Sequence, residues 1–189
     1  MTVTRLVPAR TALLVVDVQE RLASAMPQSD AIPNVGRLLE GARLLGVPVA
    51  VTEQYPKGLG VTVPALRERL TQFTDTPPIF EKLEFDATEN PGVSAHLDQL
   101  RSHGVSSVIL VGMEAHICVF QTARGLALRG FAVHVPGDAT ASRNPANLEI
   151  ARGLWRDVGA ISTTTESVLF DLLGRASGDA FKAISKLVR

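Results

Sequence analysis

The sequence predicts an α/β domain of three layers, with a mostly parallel sheet of six strands covered by helices on both faces. Short runs rich in Val, Ile and Leu recur along the chain without the polar alternation of a half-exposed strand, as strands buried on both faces do. Segments with apolar residues at helical spacing lie between them, which calls for right-handed βαβ crossovers. The length of 189 residues, 46% of them hydrophobic and 20% charged, suits one domain over residues 1–189 with a substantial core.

Ala12-Leu13-Leu14-Val15-Val16 is the first strand and ends at Asp17. A loop with Pro27 and Pro33 follows. Val35, Leu38, Leu39, Ala42 and Leu45 then recur at helical spacing, and Gly46 is a stop signal. Val47-Pro48-Val49-Ala50-Val51 is the second strand. Residues 52–78 are richer in Pro, Gly and Thr, and read as a long loop with a short helix over 64–70. Long structured loops in compact domains are often functional. Ile79-Phe80-Glu81-Lys82 is the third strand, and a helix over 93–103 leads to the fourth, Ser107-Val108-Ile109-Leu110-Val111. A turn over 112–116 precedes a helix over 118–129, which tolerates Gly125 at a small cost. Phe131-Ala132-Val133-His134-Val135 is the fifth strand. A helix over 147–157, a short sixth strand at Ala160-Ile161-Ser162, and helices over 165–173 and 179–187 complete the chain. Phe181, Ile184 and Leu187 or Val188 give the last helix an apolar stripe, to dock on its own domain or on a neighbouring subunit.

Composition narrows the function. Lys+Arg and Asp+Glu are 19 each, so the formal net charge is zero. A nucleic-acid or membrane-surface binder needs a basic excess, so neither partner is expected. A small-molecule substrate fits, and near-neutrality favours self-association. The single cysteine, Cys118, excludes an intramolecular disulfide and a zinc site built from cysteines. The first ten residues hold no apolar core of signal-peptide length. No apolar run approaches the roughly 20 residues of a membrane span. The expected location is cytoplasmic.

Ligands of open α/β sheets bind at the carboxyl ends of the strands. That rule singles out Asp17, Thr52, Glu53, Lys82 and residues 112–118. Cys118, at the start of a predicted helix, would feel the positive end of the dipole and free N–H groups, which favour thiolate. It is a nucleophile with a lowered pKa, or else a small buried hydrophobe. Asp17 ends a central strand, where an acid is costly to bury unpaired. It has a partner and a function there, or it caps the next segment. Lys82 alone would be a solvated surface charge. Set between a thiol and a carboxylate, it would stabilise both anions, and the carboxylate could act as base toward Cys118 and then toward water.

Leu14-Val15-Val16-Asp17-Val18-Gln19, then Phe80-Glu81-Lys82 with Phe85 three residues on, then Gly112-Met113-Glu114-Ala115-His116-Ile117-Cys118-Val119 resemble the three signature blocks of the isochorismatase-like cysteine hydrolases. The segment Val51-Thr52-Glu53-Gln54-Tyr55-Pro56-Lys57-Gly58-Leu59-Gly60 is similar to the branch called isochorismatase domain-containing proteins. The resemblance runs from about Thr11 to about Leu173. It implies a Rossmann-like parallel sheet and a catalytic set of Asp17, Lys82 and Cys118. In that set Asp17 is general base, Lys82 orients it and Cys118 attacks a carbonyl carbon. It also implies a cis peptide between Met113 and Glu114, and an oxyanion hole made by the N–H groups of Glu114 and Cys118. The implied reaction is hydrolysis of a small amide, carbamoyl compound or ester through a thioester, with no cofactor, in a homo-oligomer of unspecified size.

The sequence also departs from relatives of that kind. Nicotinamidase-type members carry an Asp/His metal cluster after the second strand; here Glu53-Gln54-Tyr55-Pro56 has no histidine. His96, His103, His116 and His134 are not spaced as ligands, so no metal is expected. Gln19, Gln54, Tyr55, Phe85 and His116 are candidate pocket residues, with Phe120 beside them. His116 lines the pocket or holds structure by hydrogen bonds. Glu84 and Asp86 face the pocket, where they would repel anions, or point to solvent. Two other readings stay open: a non-catalytic oligomeric interaction protein of the same fold, and a redox-sensing thiol protein. No second cysteine is present to resolve a sulfenic acid within the chain.

Overall fold

The computed structural model describes residues 5–26 and 29–188. Pro27, expected in the loop after the first strand, lies outside them, as do residues 1–4 of the segment read for a signal peptide. Strands β1 (Thr11–Val16), β2 (Val49–Gln54), β3 (Ile79–Lys82), β4 (Ser107–Met113), β5 (Ala132–Pro136), β6 (Thr140–Ala141) and β7 (Ile161–Thr163) form one sheet, and every pairing is parallel. The order is β3-β2-β1-β4-β5-β7, with β6 paired to the end of β4. The sheet thus has seven strands rather than six. The extra one, β6, is two residues long and pairs Gly112 with Thr140 and Met113 with Ala141; so short a strand leaves no apolar run in a sequence.

Successive side chains of the central strands point to opposite faces, and both faces are covered. Leu13, Val15, Ile109 and Val111 pack into one core, Leu14, Val16, Val108 and Leu110 into the other. The first core is closed by α2 (Ala31–Leu45), α4 (Pro64–Leu70), α8 (Thr165–Leu173) and α9 (Gly178–Leu187). The second is closed by α5 (Pro91–Ser102), α6 (Phe120–Leu128) and α7 (Pro145–Asp157). Ile184 of α9 is fully buried in the first core. Two short helices, α1 (Glu20–Ser24) and α3 (Pro56–Leu59), stand where the sequence reads as loop. Among the described residues no helix is long and apolar enough to cross a membrane.

β1, β2 and β3 run outward in one direction from the centre, and β4, β5 and β7 in the other. The switch point lies between β1 and β4, which is where a doubly wound sheet opens a crevice at its carboxyl edge. The two strands approach closely there. Gly112 pairs with Val16 at φ 125°, and a Cβ at Gly112 would overlap the Val16 carbonyl oxygen.

Gly125 has a packing reason that its helix conceals. Asp86 is buried, and its Oδ1 accepts from the N–H and the hydroxyl of Thr88 (2.8 and 2.7 Å). A Cβ at Gly125 would overlap the Asp86 carboxylate and Thr88 Oγ1. Helix propensity alone would make Gly125→Ala stabilising by about 1 kcal/mol. Overpacking against a buried, hydrogen-bonded acid costs about 1–3 kcal/mol, so net destabilisation is expected, read as a lower urea midpoint. A midpoint that rises would show that the Asp86 loop yields freely.

Candidate active site

Asp17 follows β1 directly, with a left-handed backbone (φ 54°). Such a conformation is costly for a non-glycine residue and persists where its surroundings over-determine it. Its N–H donates to the Thr52 carbonyl (3.1 Å), and its own carbonyl accepts from the Gln19 N–H (2.9 Å). The carboxylate has no solvent exposure. Oδ1 accepts from Thr52 Oγ1 (2.6 Å) and Oδ2 from Lys82 Nζ (2.7 Å).

Lys82 ends β3, two strands from β1, and its stem reaches past the end of β2. Its ammonium is shut off from solvent and donates to Asp17 Oδ2, to Gln54 Oε1 (2.6 Å) and to the Glu84 carbonyl (3.1 Å). An ammonium has three donors, so all are committed.

Cys118 lies in a wide turn, Ala115–Val119, rather than opening a regular helix. The Glu114 carbonyl accepts from the N–H groups of Ile117 (3.1 Å) and Val119 (3.2 Å), which stand on either side of Cys118. The fully buried Trp155 donates Nε1–H to the Ala115 carbonyl (3.2 Å) and fixes the turn from behind. The Met113–Glu114 peptide is cis.

The expectation of a lowered thiol pKa is overturned. Burial pushes the Cys118 thiol up to about 12, and the Asp17 carboxylate beside it adds to the rise; Lys82 and the Glu114 N–H, which faces the sulfur, pull the other way. The turn's dipole is outweighed because the sulfur sits inside the second core and next to the Asp17 carboxylate. At neutral pH the group is a thiol.

Asp17 and Cys118 share the wall of one hollow of about 320 Å³, with Gln54, Glu114, Arg143 and the apolar Leu22, Leu59, Phe85 and Ile117. Of the candidate pocket residues, Gln54 and Phe85 line it. Gln19 does not: it is fully buried behind the wall, where its Nε2 donates to the carbonyls of Gln54 (3.0 Å) and Gly60 (2.6 Å) and its Oε1 accepts from the Gln54 N–H (2.8 Å). Tyr55 is 52% exposed and lines a separate hollow with Leu83, Glu84 and Asn90. His116 is taken up by structure: the Asn147 amide donates to its Nε2 (3.1 Å), and its Nδ1 meets Ser142 Oγ (3.0 Å). Phe120 packs against the second core. Asp86 neither lines this hollow nor points to solvent, since it is docked on Gly125. Glu84 lies beside the Tyr55 hollow, where hydrogen bonds with backbone N–H groups hold its carboxyl below its usual range.

Thr52 is marked in the sequence by its strand-end position alone; its bond to Asp17 follows from the register that pairs it with Val16. A further contributor carries no signature in the sequence. Arg143 follows β6; its backbone N–H donates to Glu114 Oε2 (2.9 Å) and its Nε to Oε1 (3.0 Å). Burial pushes the Glu114 carboxyl up, but the Arg143 hydrogen bonds outweigh it and hold the group below its ordinary value. Among the described residues no three His, Cys, Asp or Glu side chains gather as a metal would need.

Residues 11–167 match the isochorismatase domain. The chain belongs to the isochorismatase family. Members of the isochorismatase family are in general cysteine hydrolases. The chain is 41% identical to isochorismatase domain-containing protein 1 of Salmo salar over 97% of its own length, and spans 62% of that relative. It is 38% identical to isochorismatase domain-containing protein 2 of Bos taurus, covering 98% of this chain and 86% of that one. Among solved structures it is similar to the MAR1 ribonuclease of Caenorhabditis elegans, with a TM-score of 0.89 and 40% identity over 98% of this chain and 92% of that one.

Proposed function

We propose that this isochorismatase-family protein is a cysteine hydrolase acting on a small amide, carbamoyl compound or ester through a thioester acyl-enzyme. The observation that carries the reading is the solvent-free Asp17–Lys82 pair set against Cys118 at the wall of one small hollow. A thiol pushed up to about 12 does not attack unaided at neutral pH, so the proton must leave as the bond forms. Asp17 takes it. The transfer moves charge from carboxylate to sulfur without changing the net charge of the buried set, so no ion is created in a dry site. Lys82, with every donor committed, orients the carboxylate and transfers no proton.

The sulfur attacks the carbonyl carbon, and the N–H groups of Glu114 and Cys118 receive the oxyanion. The C–N or C–O bond breaks as Asp17 returns the proton to the leaving group. Water then attacks the thioester with Asp17 again as base, and the acid and free thiol are released. The same reading takes the protein as a cytoplasmic homo-oligomer that needs no cofactor. A redox-sensor reading fits less well, because sensor thiols work as accessible thiolates. A nucleic-acid substrate is disfavoured by the balanced charge of the chain.

The test is a panel of small amides, ureas and esters, with an RNA oligonucleotide alongside, read by mass spectrometry of the intact chain. An acyl adduct on Cys118 is expected, with product release, and Cys118→Ser should lower turnover by about 10³-fold or more while still melting cooperatively. Undiminished turnover in Cys118→Ser, or RNA cleavage without turnover of the small substrates, overturns the proposal.

A further inference from the structure

We infer that the hollow beside Cys118 takes an uncharged substrate with an apolar acyl group. This deepens the hydrolase reading and rests on it for the word substrate. The acids that line the hollow are already neutralised. Asp17 is closed by Lys82, both side chains fully buried. Glu114, with its side chain 6% exposed, is closed by Arg143 through Nε, Nη2 (2.9 Å) and a backbone N–H. The lining therefore presents the Glu114–Arg143 pair whole and Asp17 with its cation, Lys82, held behind the wall, and the rest of it is Gln54, Cys118 and the apolar Leu22, Leu59, Phe85 and Ile117.

An anion finds only the outer N–H groups of Arg143, whose charge Glu114 already balances, and a closer grip means drawing Arg143 from Glu114, which leaves a buried carboxylate without its cation. A cation meets the fields of Lys82 and Arg143 and finds both acids occupied. An apolar acyl group loses nothing at this wall and removes its own surface from water. The volume, about 320 Å³, lies at the small end of ligand pockets, which run from about 300 to 1,000 Å³. The chemistry that fits is a small primary amide or ester with an unfunctionalised aliphatic or aromatic acyl part. Arg143 sets the charge rule: it lines the hollow with 60% of its side chain exposed overall, yet its inner edge is spent on Glu114.

Cys118 is the single cysteine, so thiol-selective reagents report on this hollow alone. Three methanethiosulfonates of similar size carry a propyl, a 2-sulfonatoethyl or a 2-aminoethyl group. In each case the Cys118 sulfur attacks the reagent's sulfenyl sulfur, an S–S bond forms, methanesulfinate leaves with the bonding pair, and the thiol proton passes through Asp17 to solvent. Rates are divided by those of N-acetylcysteine with the same reagent. The propyl reagent should be favoured by about tenfold or more over each charged one, the scale on which unmatched charge discriminates. Arg143→Gln should raise the relative rate of the aminoethyl reagent, since Glu114 is then unpaired. A sulfonatoethyl or aminoethyl rate equal to or above the propyl rate overturns the inference. So does a failure of all three to react, since the hollow would then be closed. Labelling needs no turnover: selective labelling with no acyl-enzyme from any amide or ester would sink the hydrolase reading and leave the charge rule standing.

Discussion

Asp17→Asn is expected to lower turnover by about 10²–10⁴-fold, the span of a lost general base, while making Cys118 easier to ionise. The two effects point in opposite directions because Asp17 does two things to the thiol. Burial is the larger reason that the thiol is pushed up to about 12, and the Asp17 charge is the next. Removing that charge leaves Lys82 facing the sulfur without a counter-ion, so the thiolate becomes more favourable. Asparagine keeps the shape: its Oδ1 can accept from Lys82 and its Nδ2 can donate to the Thr52 hydroxyl oxygen, but Lys82 is left buried without its counter-ion, so a lower Tm is expected alongside the loss of activity. The rate of alkylation by iodoacetamide should rise through a midpoint at lower pH in Asp17→Asn than in the parent chain, while hydrolysis disappears. A midpoint that stays put or climbs would mean that the carboxylate does not govern the sulfur. Retained hydrolysis would mean that the base is elsewhere.

Lys82→Met should cause the largest loss of stability of any single change at the site. The substitution keeps an unbranched stem and removes the cation paired with Asp17, along with the donor to Gln54 Oε1 and the Glu84 carbonyl. Breaking one side of a buried ion pair costs about 3–5 kcal/mol, because the remaining charge keeps its desolvation cost without its compensation. For a chain of this size that is a fall in Tm of roughly 6–20 °C. The double variant Asp17→Asn/Lys82→Met should regain most of it, since the stranded charge is gone. The two changes are in contact and will not add. A double variant as unstable as Lys82→Met alone would show that the loss comes from the lysine's packing rather than from an unpaired carboxylate.

The layers and the strand ends were legible because burial on both faces leaves an uninterrupted apolar run, and because such sheets place ligands at one edge. That rule marks Asp17, Lys82 and Cys118 together with Thr52, Glu53 and the rest of 112–118, and it is the resemblance to the isochorismatase-like signature blocks that narrows them to three. What escaped are features made by pairing between distant segments. β6 has two residues and exists only because β4 extends to Met113 beside it. Arg143 belongs to the site through Glu114, 29 positions away. Asp86 reads in the sequence as a pocket acid or a solvent-facing one and is neither: it is a buried cap whose seat is a glycine on another helix. The thiol was misjudged for a related reason. Its place in the chain suggested a helix dipole, whereas its pKa is set by the core around it and by a carboxylate 101 positions earlier in sequence.

The segment from Tyr55 to Val63, which carries Leu59 to the hollow, is fastened at several points. Gln19 clasps Gly60, Glu53 accepts from Thr62 N–H and Oγ1 (both 2.7 Å), Arg21 donates to the Gly58 carbonyl (2.7 Å), and Val63 N–H donates to Val18 (3.0 Å). Its freedom is surrendered when the chain folds, not when a guest arrives. A molecule reaching Cys118 meets a rim that is already shaped, so none of its affinity goes into ordering that segment. What it gains is decided by fit alone, which favours quick exchange of small guests over slow capture behind a closing flap.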